Sequence, residues 1–334
     1  MAESAQQMTT MVINEPSPQF ALCMNKQSVP VADDNELLVA IEYVALNHID
    51  AKLAAEGFCH WQYPHVLGLD AVGTVLNAPA GVFPAKGARV MFNASLGSQG
   101  MLKEYATVPN YAVSEVPAEV PSEVAATLAN AGMTALAALD KLQLEEGDSL
   151  LIDSGCGAVA HFAIQYAKLR GAMVFVYSEA GEHERLKALG ADVVFDANCE
   201  GLECNIKHEL GPGGFDAILN TCGGDSFLCD LEHLRFCGRI ACLNGFPSIP
   251  QELLFRRAPN ISVVSLGGAW LANSLCAQQK LSFMGQQLIG DVQSGAIVAP
   301  DLEVIPFTEA AVRDALTTLY NHSARLRPVV KIQP

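Results

Sequence analysis

The sequence predicts an α/β chain of two domains, one compact and mostly β, the other a doubly wound parallel sheet. Three observations carry this. At 334 residues the chain is longer than one hydrophobic core usually spans. Residues 8–116 alternate short β-like runs with Pro and Gly, whereas from residue 119 onward strands and helices alternate regularly. That second pattern belongs to a sheet with right-handed crossovers and helices on both faces.

In chain order, the strand-like runs of the first part are Leu37–Tyr43, Ala71–Leu76, Arg89–Phe92, Glu104–Val108 and Tyr111–Val116. Their β-branched and aromatic residues suit a pleated, half-buried surface. Pro121 opens a helix with Val124, Leu128 and Ala131 on one side, and a second helical stretch covers Ala135–Leu142. Gly147-Asp148 then turns the chain into Leu150–Asp153. The further strands expected are Met173–Tyr177, Val193–Phe195, Ala217–Asn220, Arg239–Leu243 and Ile261–Leu266. Between them fall helices at 158–170, 182–189, 201–210 and 225–235. A long amphipathic helix over Trp270–Val292 precedes a tail of strand Leu302–Pro306, helix 308–320 and strand Pro328–Ile332.

The stretch from Leu150 to Tyr177 has a particular meaning. Leu150, Leu151 and Ile152 form an apolar run fit for a strand buried on both faces. Gly155-x-Gly157-x-x-Ala160 follows at once. The first glycine permits a tight turn, the second lets the backbone approach a pyrophosphate, and a small third residue lets helix and strand pack. Val159, Phe162, Ala163, Tyr166 and Ala167 then recur at helical spacing, Gly171 stops the helix, and a second strand begins. The helix N-terminus offers unpaired N–H groups and positive dipole to a phosphate. Strand, turn, helix and strand together point to a dinucleotide site.

Composition excludes other classes. Half of the residues are hydrophobic and 17% are charged, as in a well-packed globular protein. A net charge of −16 disfavours nucleic acid and anionic membrane surfaces, whose affinity rests on Lys and Arg. Val124–Leu139 is the most apolar helical stretch, but it is too short for a membrane span and carries Thr127, Asn130 and Thr134. Ten cysteines scattered through a large chain that opens without an apolar signal segment read as reduced thiols, so a cytoplasmic protein is expected.

Eight stretches, in order along the chain, carry a family resemblance: ALNHIDAKLAAEG (45–57), YPHVLGLDAVGTV (63–75), LKEYATVP (102–109), AGMTALAAL (131–139), the Gly155 turn, LKALGADVVFD (186–196), FDAILNTCGG (215–224) and RIACLNGF (239–246). The chain resembles the medium-chain dehydrogenases/reductases, and within them the zinc-independent quinone oxidoreductase branch. The resemblance implies a GroES-like, mostly β substrate domain formed by 1–118 and 296–334, interrupted by a Rossmann domain over 119–295. It thereby implies that the tail rejoins the head. Zinc-using members of the family carry Cys where this chain has Asn47, and Gly-His-Glu where it has Gly68-Leu69-Asp70. Both departures remove ligands that a catalytic zinc needs, and no C-x-x-C occurs, so no metal is expected. Without a Lewis acid the expected acceptor is one that delocalises charge itself, a quinone or an α,β-unsaturated carbonyl.

The site residues expected on this basis divide into two sets. For catalysis they are Asn47, which can orient a carbonyl or a ribose hydroxyl, Lys52, a fixed positive charge beside a developing enolate, and Thr134, near the nicotinamide ribose. For the cofactor they are Asn47 and Thr134 again, Gly155, Gly157, Ala158 and Val159 at the pyrophosphate, Ser178 at the adenosine ribose, Asn220 and Thr221 at a strand end, and Gly245 and Phe246 beside the nicotinamide. Each polar member has a structural alternative: a loop-fixing Asn47, a surface Lys52–Asp50 pair, a Thr134 bonded to its own helix. Cofactor choice stays open between NADP(H) and NAD(H), because Ser178 suits a 2′-phosphate while Glu179 and Glu182 repel one, with His183 and Arg185 nearby. The function expected is hydride transfer from NAD(P)H to a small-molecule quinone or enone, in a homodimer formed at the edge strand Ile261–Leu266. A pathway-specific enoyl reductase and a nucleotide-binding protein with little turnover are the alternatives.

Overall fold

The computed structural model describes residues 6–79, 81–197, 202–210, 213–322 and 324–333. The elements of the first part of the chain are β1 (Gln7–Ile13), β2 (Leu22–Ser28), β3 (Glu36–Ala45), α1 (His48–Glu56), β4 (His65–Val66), β5 (Asp70–Asn77), β6 (Arg89–Asn93), β7 (Tyr105–Pro109), β8 (Ser114–Glu115), α2 (Ser122–Ala126) and α3 (Ala129–Leu142). There follow β9 (Ser149–Ile152), α4 (Ala158–Leu169), β10 (Met173–Ser178), α5 (His183–Ala188), β11 (Val193–Asp196), α6 (Leu202–Leu210), β12 (Phe215–Asn220), α7 (Ser226–His233), β13 (Leu234–Cys242), α8 (Gln251–Arg257) and β14 (Asn260–Val263). The chain closes with α9 (Gly267–Leu271), α10 (Leu275–Ser294), β15 (Leu302–Pro306), α11 (Glu309–Tyr320) and β16 (Arg327–Lys331). Position 201, the expected start of α6, lies outside the described residues.

Two compact units result, Met1–Met133 with Leu266–Pro334 and Thr134–Ser265. The first holds a seven-stranded sheet ordered β15-β16-β3-β5-β6-β8, with β7 also on β3, and a small β2-β1-β4 sheet. Its core buries Leu37, Val39, Ile41, Val44 and Leu67 with Phe20 and Met11. The tail does return to the head: β16 runs antiparallel to β3, pairing Val329 with Ala45 and Val330 with Val44. Gly73 is required where β5 crosses β3, because a Cβ there would stand 2.2 Å from the Ala40 carbonyl oxygen.

Among the elements of this unit absent from the sequence expectation are β1, β2 and α1. β1 and β2 pair antiparallel over seven residues each, but β2 exposes its polar Asn25, Lys26 and Ser28 and so shows little alternation. α1 hides in a motif read for its chemistry. Asn47 is its N-cap, and Asp50 at the third helical position accepts the Asn47 N–H at 2.7 Å. That is half of a capping box, a helix-start signal in its own right.

The second unit is a six-stranded parallel sheet ordered β11-β10-β9-β12-β13-β14. All six expected strands are present, and the chain order reverses between β9 and β12, the switch point at which such sheets receive ligands. Phe175, Phe215, Ile218, Phe227 and Ile240 pack a core on this sheet.

The expected single helix over Trp270–Val292 is two helices, because Asn273 takes φ 48 and Ser274 caps α10. Asparagine tolerates that left-handed conformation. By packing, residues 119–133 and 266–295 group with the first unit. Ser114 Oγ donates to the Ser282 carbonyl at 2.8 Å, Tyr111 bonds Gln278 at 3.1 Å, and Gly285 lies flush against Ser114, Met91 and Met133.

Candidate active site

The glycine turn follows β9 directly. Gly155 has no room for a side chain, since a Cβ would meet Leu186 at 2.6 Å and Val176 at 2.9 Å, whereas a Cβ on Gly157 would meet nothing within 4 Å. Gly157 is the N-cap of the twelve-residue α4, with no side chain capping its first N–H groups. Ala160 is buried where the third small residue is required, and Ala158 and Val159 are half-buried in the first turn. Open space over Gly157, free N–H groups and a helix dipole together make a cradle for a phosphate. The residues here fit a dinucleotide.

The neighbouring strand ends are locked to one another. Asp153, the residue after β9, accepts from the Thr221 N–H at 2.6 Å, the Thr221 hydroxyl at 2.7 Å, the Cys222 N–H at 3.0 Å and the Asn220 amide at 2.9 Å. Asn220 is fully buried, so its side chain and that of Thr221 face the protein; they shape the strand end and leave contacts to a ligand to the backbone. Burial first, and Asp153 second, push the Cys222 thiol up to about 12, which keeps it un-ionised. Gly245 is exposed, and Phe246 stacks on Phe227 with ring centroids 4.5 Å apart while keeping one face open.

At the end of β10, Ser178 is buried, 3.9 Å from the Cys156 sulfur. Glu182 is taken up by Arg185, whose Nε donates to it at 2.6 Å. The same guanidinium donates to the Gly155 carbonyl at 3.0 Å. Arg185 thus lies over the glycine turn, and one of the two acids that disfavour a phosphate is neutralised.

The first unit holds a separate polar cluster. Asp70 is fully buried and accepts from the Asn47 amide at 3.0 Å, the Asn93 amide at 2.9 Å and the Asn130 N–H at 3.0 Å. Arg327 comes within 3.8 Å of Asp70 and donates to the Asn47 carbonyl oxygen. Burial raises the carboxyls of Asp50 and Asp70, the former to about 7 with the charge of Asp70 as second cause; Arg327 opposes this for both. Asn47 stands where the zinc-using pattern has Cys, and Asp70 where it has the Glu of Gly-His-Glu. Here they bond to each other beside a guanidinium, and that donor set does not fit a zinc ion. Among the described residues no group of three His, Cys, Asp or Glu is placed to hold a metal.

Thus the glycine turn, Ser178, Asn220, Thr221, Gly245 and Phe246 gather at one end of one sheet, while Asn47 belongs to the buried cluster of the other unit. Lys52 is half-buried on α1, and Thr134 half-buried on α3. Asp153, Arg327 and Asn93 were missed. Asp153 had a signal, an acid closing an otherwise apolar strand; Arg327 and Asn93 had none, because only the sheet brings them to Asp70.

Residues 33–118 match the alcohol dehydrogenase GroES-like domain, and residues 158–283 match the zinc-binding dehydrogenase family. A chloroplast envelope quinone oxidoreductase homologue of Arabidopsis thaliana is 32% identical over 66% of this chain and 69% of its own length. A chloroplastic quinone oxidoreductase homologue of Spinacia oleracea is 33% identical over 69% of this chain and 72% of its own. A trans-enoyl reductase of Aspergillus terreus is 31% identical, with the match spanning 54% of this chain and only 66% of that relative. Among solved structures, an alcohol dehydrogenase superfamily protein from Novosphingobium aromaticivorans aligns with a TM-score of 0.87 at 25% identity, covering 98% of this chain and 100% of that one. A mycobacterial protein complexed with NADPH shares the fold, with a TM-score of 0.85 at 24% identity over 97% of this chain and 99% of its own.

Proposed function

The chain belongs to the medium-chain dehydrogenase/reductase superfamily, in its quinone oxidoreductase-like branch, and we propose that it is a zinc-independent NAD(P)H-dependent oxidoreductase acting on a quinone or an α,β-unsaturated carbonyl. The carrying observation is the open cradle over Gly157 at the switch point of the parallel sheet. Gly155, Gly157, Ala158 and Val159 would hold the pyrophosphate through backbone N–H groups, and Gly245 and Phe246 would lie beside the nicotinamide. When bound, the nicotinamide nucleotide supplies hydride to the acceptor. The acceptor would spread the added charge over its conjugated oxygen, Lys52 would supply a fixed positive charge to that oxyanion, Thr134 would orient the ribose, and solvent would return the proton. No step needs a Lewis acid, in keeping with an Asn47–Asp70–Arg327 group unsuited to zinc.

Within this reading the preferred nucleotide is NADPH. The Glu182–Arg185 pair is more than one third exposed on each side, at 35% and 38%, so it is worth no more than about 1 kcal/mol. A 2′-phosphate dianion draws Arg185 from it at little cost. Titration of the protein with NADPH and NADH, followed by fluorescence, tests the assignment: binding of neither rejects it. Nicotinamide absorbance is then followed with a panel of quinones and enones, and no oxidation of bound nucleotide rejects turnover in favour of a binding protein.

The trans-enoyl reductase relative supports a second reading, reduction of one pathway's acyl C=C bond. Dependence of turnover on acyl length, with no activity on quinones, would select it. The proposed assembly is a homodimer through β14, which ends the six-stranded sheet and leaves Val263 57% exposed. No described helix is long and apolar enough to cross a membrane.

A further inference from the structure

Two buried acids lie beneath the strand ends of the second unit, and the functional reading uses neither. Asp153 is 9% exposed and Asp230, on α7, is 2% exposed. The Asn220 amide bridges them, donating to Asp153 Oδ2 at 2.9 Å and Asp230 Oδ2 at 2.8 Å, with Ser226 Oγ a third acceptor at 3.1 Å. Two carboxylates bridged by one amide, with no cation bonded to either among the described residues, do not both keep their charge. The donors are unequally shared. Asp153 receives four, two of them backbone N–H groups, whereas Asp230 receives the Asn220 amide. Donors stabilise an ionised carboxylate, so the charge falls on Asp153 and the proton on Asp230. Burial, and then the charge of Asp153, raise Asp230 well above the ordinary carboxyl range, in the same sense.

The loop that Asp153 holds is the rim of the proposed nucleotide cradle. Thr221 and Cys222 point their N–H groups at Asp153, the Gly223 N–H donates to the side-chain Oδ1 of Asn220 at 3.1 Å, and the Asn244 amide donates to the Thr221 backbone carbonyl at 2.6 Å. Gly224 donates to the Gly245 carbonyl at 2.8 Å, which carries the order across to Gly245 and Phe246. Without the anion, two backbone N–H groups would lose their acceptor and the loop its reason to fold over β9.

We propose that Asp153, as the anionic member of the Asp153–Asp230 pair, is the positioning residue that fixes the Thr221–Gly224 rim of the nucleotide site. This rests on the nucleotide reading above. An uncharged Asp230 is matched in shape and hydrogen bonding by asparagine, whereas Asp153→Asn presents an NH2 group to existing donors.

The test compares Asp153→Asn with Asp230→Asn in the full chain, measuring NADPH affinity, acceptor KM and amide hydrogen exchange. Expected for Asp153→Asn is NADPH binding about tenfold weaker or more, with acceptor KM changed less than about twofold and fast exchange at Thr221 and Cys222. Asp230→Asn is expected to leave NADPH affinity within about twofold and those amides protected. Equal loss in both variants, or no loss in Asp153→Asn, overturns the proposal. Should Asp153→Asn fail to fold, wild-type exchange decides: unprotected Thr221 and Cys222 amides refute the anchor. Wild-type protein that binds no nucleotide removes the functional reading instead, while exchange still reports on the anchor.

Discussion

Asp50 is 3% exposed, and its carboxyl is pushed up from 3.8 to about 7, by burial first and the charge of Asp70 second. The native state therefore holds this proton more tightly than the unfolded chain. Its contribution to stability is complete below about pH 4 and is lost as pH rises through about 7. Asp50→Asn keeps an acceptor for the Asn47 N–H and removes the ionisation. The gap in melting temperature between variant and wild type is expected to widen in the variant's favour from about pH 4.5 to about pH 8; an equal gap at both would refute the buried-acid account. Arg185 makes a second prediction at this scale. Arg185→Ala should weaken NADPH binding about tenfold and leave NADH within about twofold, so that the affinity ratio moves, which a general loss of structure would not do.

Among the elements, α10 shows how a helix is seated by one small residue. A Cβ on Gly285 would stand 2.2 Å from Ser114 Oγ and 2.9 Å from the terminal carbons of Met91 and Met133. Gly285→Ala gains helix propensity but overpacks this seat, and overpacking dominates because Ser114 is buried and bonded to α10 itself. A net loss of about 1–3 kcal/mol in denaturant unfolding is expected. A variant as stable as the parent would show that α10 can shift outward freely. α1 carries the complementary lesson: its N-cap residue Asn47 has its amide on Asp70 and its carbonyl oxygen on Arg327. The helix start and the buried cluster are therefore one construction.

For the whole molecule, the parallel sheet ends on a strand whose outer edge is open. Val263 on β14 is 57% exposed, and Phe255 on the preceding helix is 89% exposed. Pairing of this edge with that of a second copy would cover both. Val263→Lys places a charge on the edge, a device by which sheets avoid such pairing. Light scattering at micromolar concentration is expected to give a dimer for the wild type and a monomer for the variant; a monomeric wild type refutes the assembly.

The sequence by itself determined the α/β class, all six strands of the parallel sheet and the glycine turn. These are local properties: an apolar run, a small residue at a tight turn and a 3.6-residue period are written in consecutive positions. Ala217–Asn220 and the Gly155 turn needed no partner to be read. It also set Asn47 where zinc-using members of the family carry Cys, and Gly68-Leu69-Asp70 where they carry Gly-His-Glu. Only the tertiary structure decided what these residues do instead. Asn47, Asp70, Asn93 and Arg327 are far apart in the chain, and no spacing rule joins them; burial in one sheet does, by forcing each polar group to find a partner. In the same way Asp153 reads as the end of a strand until β12 and α7 are laid beside β9. Then its four donors, set against the Asn220 amide at Asp230, carry the proposal that Asp153 is the anionic member of the pair.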